Sequence, residues 1–425
     1  MKQHHDSMPE ENITEIGTKG FHYGWMIAAI SFLVVFVSLG LCNSPHGLYQ
    51  IPVTTDTSLS RTQFSGIATF RFTATALFNL LFGFLYKKLG LRRIGTMGLL
   101  FSAAALLLFS LGSEPAMFYL GGIFLGAGSA FATTTFASTL ISNWFNKNKG
   151  LVLGVVLCSS GIGGTIFSQL VSRWIETVGW RQSYRISAGI VALVAALAAL
   201  VICGRPAEKG LCPIGGENAR AGKAKNAETG MTLREACRTP QLYCVLLIAL
   251  LVGFLNNPVY VAVPAQMADK GFSADQSALV MSIIFTSIAV AKIALGAIHD
   301  RIGLAATVSV CFLSNMTGLV LLLTAKTVWN YLFFAVIFGL SVPLENLVMS
   351  LIMGTLYGKR DYAGFVGVGV ALSALGIGIG NLLMGYCFDT FGGYSQAIVA
   401  CLVMSATAYT ALMFIIRQRK NVSES

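Results

Sequence analysis

Charge is scarce in this chain. Of 425 residues only 11% are Asp, Glu, Lys or Arg, and the acidic sign is the scarcer, 18 residues against 29 basic ones. With 55% apolar residues and a mean hydropathy of +0.71, that shortage excludes a water-soluble globule of this size. A Gly-Lys-Ser/Thr phosphate loop is also missing, so nothing points to ATP hydrolysis. The nine cysteines follow no metal-ligand spacing, and Cys42, Cys158, Cys311 and Cys401 lie in apolar runs, where they serve as small packing residues. With no nucleophile–base constellation and no appended soluble signalling domain, the sequence predicts neither an enzyme nor a sensor, and no metal or cofactor.

What is present in quantity is long apolar runs. About 20 such residues cross roughly 30 Å of hydrocarbon. Runs near 24–46, 64–86, 95–112, 116–142, 150–171, 186–203, 241–264, 276–298, 304–324, 329–355, 363–386 and 395–416 predict an all-α integral membrane protein of twelve transmembrane helices. The first run follows a polar stretch, Met1 to Gly20, and has no small-residue cleavage site after it, so it is expected to be a retained span and not a signal peptide. The longest hydrophilic connection, 204–240, is expected to be a linker between a first bundle (21–203) and a second (241–416), with short tails at 1–20 and 417–425.

Orientation follows from Lys and Arg, which stay on the cytoplasmic side of short loops. With the N-terminus inside, inner segments hold 21 of the 29 cations, including Lys87, Lys88, Arg92, Arg93, Arg417, Arg419 and Lys420. Outer segments hold six, of which Arg173, Arg181 and Arg185 fall in one loop. Both termini are therefore expected in the cytoplasm, with a bacterial cytoplasmic membrane as the setting. The net charge of +11 needs no nucleic-acid partner, because anionic lipid headgroups account for basic inner loops.

The halves repeat at a fixed offset of 213 residues. Asn43 and Pro45 fall on Asn256 and Pro258, Gly83 and Gly90 on Gly296 and Gly303, Gly126 on Gly339, and Lys147 on Arg360. Gly154, Ser160 and Gly163 fall on Gly367, Ser373 and Gly376, while Glu176, Thr177 and Gly179 fall on Asp389, Thr390 and Gly392. Such a register implies two similar six-helix bundles with a solute site between them near the midplane.

These residues carry a family resemblance. The loop Gly83, Lys87, Lys88, Gly90, Arg92, Arg93, with its repeat copy Gly296, Asp300, Arg301, Gly303, is similar to the signature loop of the major facilitator superfamily. Lys87 stands where that superfamily usually has Asp; the second copy keeps the acid. Trp144, Phe145, Lys147, Lys149, Gly150 and Gly154, together with Gly24 and Trp25, resemble the branch of monocarboxylate transporters and bacterial oxalate/formate antiporters. The resemblance implies rocking bundles gated by these loops, an anionic substrate, and a substrate-binding cation at Lys292, four residues before Gly296. It also implies a substrate-facing site after Pro45, at His46. The acid that animal members carry one turn before that cation is Ile288 here.

Ionisable groups inside hydrocarbon are costly unless they face a cavity or a partner. The candidates are His46, Arg71, Lys292 and Glu345. Arg71 heads a stripe with Thr75 and Asn79 at i+4 and i+8, and a guanidinium facing a water-filled path suits a carboxylate. The competing reading is snorkelling to the interface. For Lys292 the competitor is reach to headgroups; for His46, an interfacial residue instead of a titrating site. Glu345, between Pro343 and Asn346, is either an ion partner for Lys292 or Arg71 or a group that protonates in the cycle. Asn43, Asn256, Asn257 and Tyr260 flank the prolines of spans one and seven, where a polar break is expected, and suit either neutral substrate contact or helix packing. The glycines at 161, 163, 164, 376, 378 and 380 are assigned to rocking interfaces.

The expected function is secondary active transport of a small organic anion by alternating access, with proton coupling or exchange. Export of another solute, an amphipathic drug or a sugar, is the alternative. The expected partners are that solute, protons and the lipid bilayer. The oligomeric state is open, with a monomer expected.

Overall fold

A computed structural model describes residues 22–424 apart from 58, 60 and 216–229. The predicted N-terminal tail, most of the predicted linker and residue 425 lie outside the described residues. Among the described residues, eleven continuous segments are long and apolar enough to cross a membrane. One of them lies within the helix Arg61–Leu111, which is broken at Gly90, where φ is 74°. Only glycine adopts that left-handed value without strain, so the segment is two legs, 61–89 and 91–111. The described residues thus hold the twelve expected spans.

In chain order, span 1 occupies Tyr23–Asp56, spans 2 and 3 are the two legs, and span 4 is Pro115–Trp144. Span 5 is Lys149–Val178 and span 6 is Trp180–Val201. After the linker come span 7, Pro240–Asp269, span 8, Ala274–Arg301, and span 9, Leu304–Thr324. Span 10 runs Val328–Glu345 and then Leu347–Tyr357, span 11 is Tyr362–Phe391 and span 12 is Ser395–Glu424. Large apolar side chains such as Leu193, Leu200, Trp329 and Phe414 stay exposed, the lipid-facing surface of a multi-pass membrane protein.

Three spans are interrupted. Span 1 passes from α-helix into a π segment, Phe36–Leu41, then a turn at Asn43 and a 3₁₀ stretch, Ser44–Tyr49. Span 4 breaks at Thr133, and span 10 breaks through a 3₁₀ turn, Val342–Glu345, at Asn346. Thr133 and Asn346 are equivalent at the 213-residue offset. The break expected in span 7 is not there: Pro240–Asp269 is one helix with Pro258 and Pro264 inside it. The ring of Pro258 lies against Gly380 of span 11, where any Cβ would come within 2.5 Å of it.

Span 6 also begins earlier than expected, at Trp180, so Arg181 and Arg185 belong to its first turns. Arg181 donates to the carbonyls of Ser110 and Gly112 at 3.1 and 3.0 Å, and Arg185 to Ser110 Oγ at 3.0 Å. Anchored to the end of span 3, these cations extend the helix rather than end it.

The ends of the bundle differ. One carries the turns at Gly90, 145–148, Gly303 and 358–361 together with the described parts of the linker; it is called the linker face below. Ile214 pairs with Phe145, and Gly230 with Gly358, so each end of the linker docks on the equivalent loop of one half.

Candidate functional site

Two seams hold the halves together, and both depend on glycine. Between spans 5 and 8, a Cβ on Gly150 would come within 2.6 Å of the Gly296 carbonyl, and one on Gly154 within 2.2 Å of the Lys292 carbonyl. Between spans 2 and 11, a Cβ on Gly83 would meet Gly364 at 2.6 Å and one on Gly367 the Asn79 carbonyl at 2.5 Å. Backbone therefore packs on backbone, as small residues permit between membrane helices. Asn79 and Lys292 are themselves equivalent at the 213-residue offset, as are Gly154 and Gly367. The midpoint of each seam is thus one polar side chain whose carbonyl faces a glycine of the other half.

Lys292 is buried, and its Nζ crosses the seam to the Leu157 carbonyl at 3.1 Å and Ser160 Oγ at 2.7 Å. It therefore does not reach for headgroups here. Its counterpart Asn79 is turned into its own half. Its Oδ1 accepts from Thr135 Oγ1 at 2.7 Å, and its Nδ2 donates to the Thr75 carbonyl at 2.9 Å. Thr75 in turn donates to the carbonyls of Arg71 and Gly126. The stripe Arg71, Thr75, Asn79 is real, and its last two members face span 4.

Arg71 is half-buried, with its guanidinium 4.6 Å from the ring of Phe72. Its Nη1 is buried and has no hydrogen-bond partner. His46 lies within electrostatic range of Arg71, its ring stacked on Phe64 at 5.0 Å. A cation with an idle donor beside an imidazole is a ready receptor for an anionic group.

In the second half, Glu345 sits half-buried in the 3₁₀ turn of span 10, within electrostatic range of Lys292 and Tyr260. The ion pairs among the described residues are Lys87–Asp361, Arg181–Asp56 and Arg360–Glu235; Glu345 joins neither Lys292 nor Arg71 directly. Asn257 donates to the Tyr260 hydroxyl at 2.7 Å, and both are half-buried. Asn256 behaves differently. It is buried, and its Oδ1 accepts from Asn315 Nδ2 at 3.2 Å and Ser341 Oγ at 3.0 Å, tying spans 7, 9 and 10 together. Asn43 donates to the Ser38 carbonyl and to Ser129 Oγ, bridging spans 1 and 4. Both arrangements match the packing role.

The expected gate residues divide as well. Gly83 and Gly296 lie on the seams, and Gly90 and Gly303, with φ of 74° and 107°, make the turns. Asp300 reaches the other half, accepting the backbone N–H groups of Gly150 and Leu151 at 2.9 and 2.7 Å. Arg92 instead donates to the Ala199 carbonyl of its own half, and Arg93 and Arg301 are exposed. Arg92 and Arg93 line an open groove of about 750 Å³ with Met97, Ala199 and Glu208, away from the seams. Missed from sequence were Ser160 as the partner of Lys292 and Asp361 as the partner of Lys87. The 213-residue offset carried a signal for the first, because Ser160 belongs to a matched pair.

Comparison with known proteins agrees with this architecture. Rat monocarboxylate transporter 13 is 26% identical over 388 residues, covering 89% of this chain and 85% of its own. Mouse monocarboxylate transporter 12 is 24% identical, covering 89% and 82%. The agnestins efflux protein AgnL12 of Paecilomyces divaricatus is 27% identical, covering 88% and 83%. Among solved structures, the E. coli fucose:proton symporter FucP superimposes with a TM-score of 0.70 at 14% identity, over 93% of this chain and 99% of its own. It shares the two-bundle fold. A family profile described as Major Facilitator Superfamily matches residues 26–265 and 245–425. The chain belongs to the Major Facilitator Superfamily and is a membrane transporter, not an enzyme.

Proposed function

We propose that this transporter carries a small organic anion, a monocarboxylate or dicarboxylate, by alternating access of its two bundles. The observation that carries the reading is the buried, unpartnered Nη1 of Arg71 beside His46. In an oily interior such a donor calls for an anionic visitor. Lys292 supplies the second cation, held in the seam by Ser160 until the halves separate. Glu345, near Lys292, is the group that competes for it or takes up a proton as the solute leaves. Asn257 and Tyr260 are the neutral contacts. Several relatives are named monocarboxylate transporters, which supports the solute class.

The basic linker face belongs in the cytoplasm on this reading, with both termini, so the Asp300 and Lys87 contacts join the halves on the inner side. The membrane is a cell membrane, and the relatives cited are animal and fungal. One relative is named an efflux protein, which keeps export of a larger organic solute as the second reading.

The test is uptake into proteoliposomes of a panel of small carboxylates, with and without an imposed pH gradient. Arg71→Ala and Lys292→Ala are each expected to lower kcat/KM for the anion at least about tenfold, the size of a lost charge-assisted contact. Unchanged kinetics in both variants, or transport confined to lipophilic cations, would reject the anion reading.

A further inference from the structure

Lys87 and Asp300 are equivalent at the 213-residue offset, and so are Asn148 and Asp361. The two junctions between the halves therefore carry exchanged charges. At one, Asp300 reaches across to the first turn of span 5, whose preceding residue is the neutral Asn148. At the other, the residue before span 11 is itself the acid, Asp361, and the side chain reaching across is Lys87, with Nζ 2.5 Å from Asp361 Oδ1. Each junction ends with a carboxylate beside a helix N-terminus, where the helix dipole favours negative charge. Opposite partners supply it.

Asp361 has a further contact. Its Oδ2 accepts the N–H of Leu233 at 3.0 Å, the first residue of the linker helix Leu233–Ala236. That helix is fixed by a capping box between Thr232 and Glu235, and Glu235 lies 3.8 Å from Arg360. Just before it, the Met231 N–H donates to the Tyr357 carbonyl at 3.0 Å. Burial alone would raise the Asp361 carboxyl. The hydrogen bonds from Lys87 and Leu233, with the charges of Lys87 and Arg360, outweigh burial and hold it below the ordinary range. The Asp361 side chain is 11% exposed and that of Lys87 63%, so the carboxylate is the fixed member of the pair.

We propose that Asp361 is a positioning residue for transport. Its one carboxylate takes Lys87 of the first half on one oxygen and the linker helix on the other, and that helix, bonded to Asp361 and Arg360 of the second half, orients the carboxylate for the contact that joins the halves at this face. The proposal does not depend on which solute is carried.

The experiment uses the full chain in lipid nanodiscs without solute, with native cysteines replaced by serine. Spin labels at Arg93→Cys and Arg301→Cys, exposed in opposite halves of the linker face, report their separation by double electron–electron resonance. Asp361→Asn is expected to raise the ratio of open to closed linker face about fivefold, as losing a half-exposed ion pair and one charge-assisted hydrogen bond would. Leu233→Pro should shift it the same way and further than Leu233→Ala, which loses the side chain packed beside Gly364 but keeps the donor, because proline is tolerated at a first helical position. Lys87→Asp combined with Asp361→Asn rebuilds the pattern of the other junction and should return the distribution toward the parent. Unchanged distances in Asp361→Asn overturn the proposal. So does a shift that Leu233→Pro fails to reproduce, or one that Lys87→Asp fails to reverse.

Discussion

At the scale of the residue, Asn256 and Arg71 part on where their hydrogen bonds go. Asn256 and Arg71 were both legible as polar residues inside apolar runs, and the sequence left each with two readings. Asn256 proves to be surrounded by its own fold, with Asn315 and Ser341 both donating to its amide oxygen. Arg71 keeps a buried donor with nothing to bond. Partners on distant spans cannot be read from periodicity, which is why the choice needed the structure. Asn256→Leu should lower the thermal midpoint in detergent, losing about 2 kcal/mol as two buried donors lose their acceptor, while KM stays unchanged. A raised KM with an unaltered midpoint would make Asn256 a substrate contact instead.

At the scale of the element, glycine spacing was more informative than proline. The number of spans and the offset between halves were visible because they rest on apolar run length and on residues without a side chain. The interruptions were not. Thr133 opens a run of three threonines and Asn346 follows Pro343 and Glu345, dissimilar local sequences, yet spans 4 and 10 break there at equivalent positions. Pro258 suggested a break that span 7 does not make, because Gly380 leaves room for its ring within a continuous helix. Seam glycines are where a substitution should act on the whole helix pair. Gly154→Leu and Gly367→Leu each push a side chain against a carbonyl of the opposing half, an overpacking cost of about 1–3 kcal/mol. Both should loosen the linker face, seen as faster hydrogen exchange in peptides spanning 143–150 and 357–363. Gly189→Leu, where a Cβ meets nothing within 4 Å, serves as the control and should leave exchange unchanged.

At the scale of the whole molecule, the unequal distribution of cations connects the bilayer to the side on which these contacts join the halves. The linker face carries Lys87, Asp300 and Asp361 in its inter-half contacts, and the seam between spans 5 and 8 runs on past the Lys292 bonds to Gly161, which packs against Ala289 and Phe285. If that face is cytoplasmic, as the positive-inside bias predicts, the halves are joined on the inner side. Cys237, exposed beside the linker helix, is a native reporter of that assignment. In cells, a membrane-impermeant maleimide should label it only after permeabilisation, the signal being assigned by its loss in Cys237→Ser. Lys326→Cys, in the exposed turn between spans 9 and 10 at the opposite end, should be labelled in intact cells. The reverse pattern would place the linker, and the contacts that join the halves beside it, on the outside. The bonds that hold Lys292 would then have to break before solute could leave to the outside.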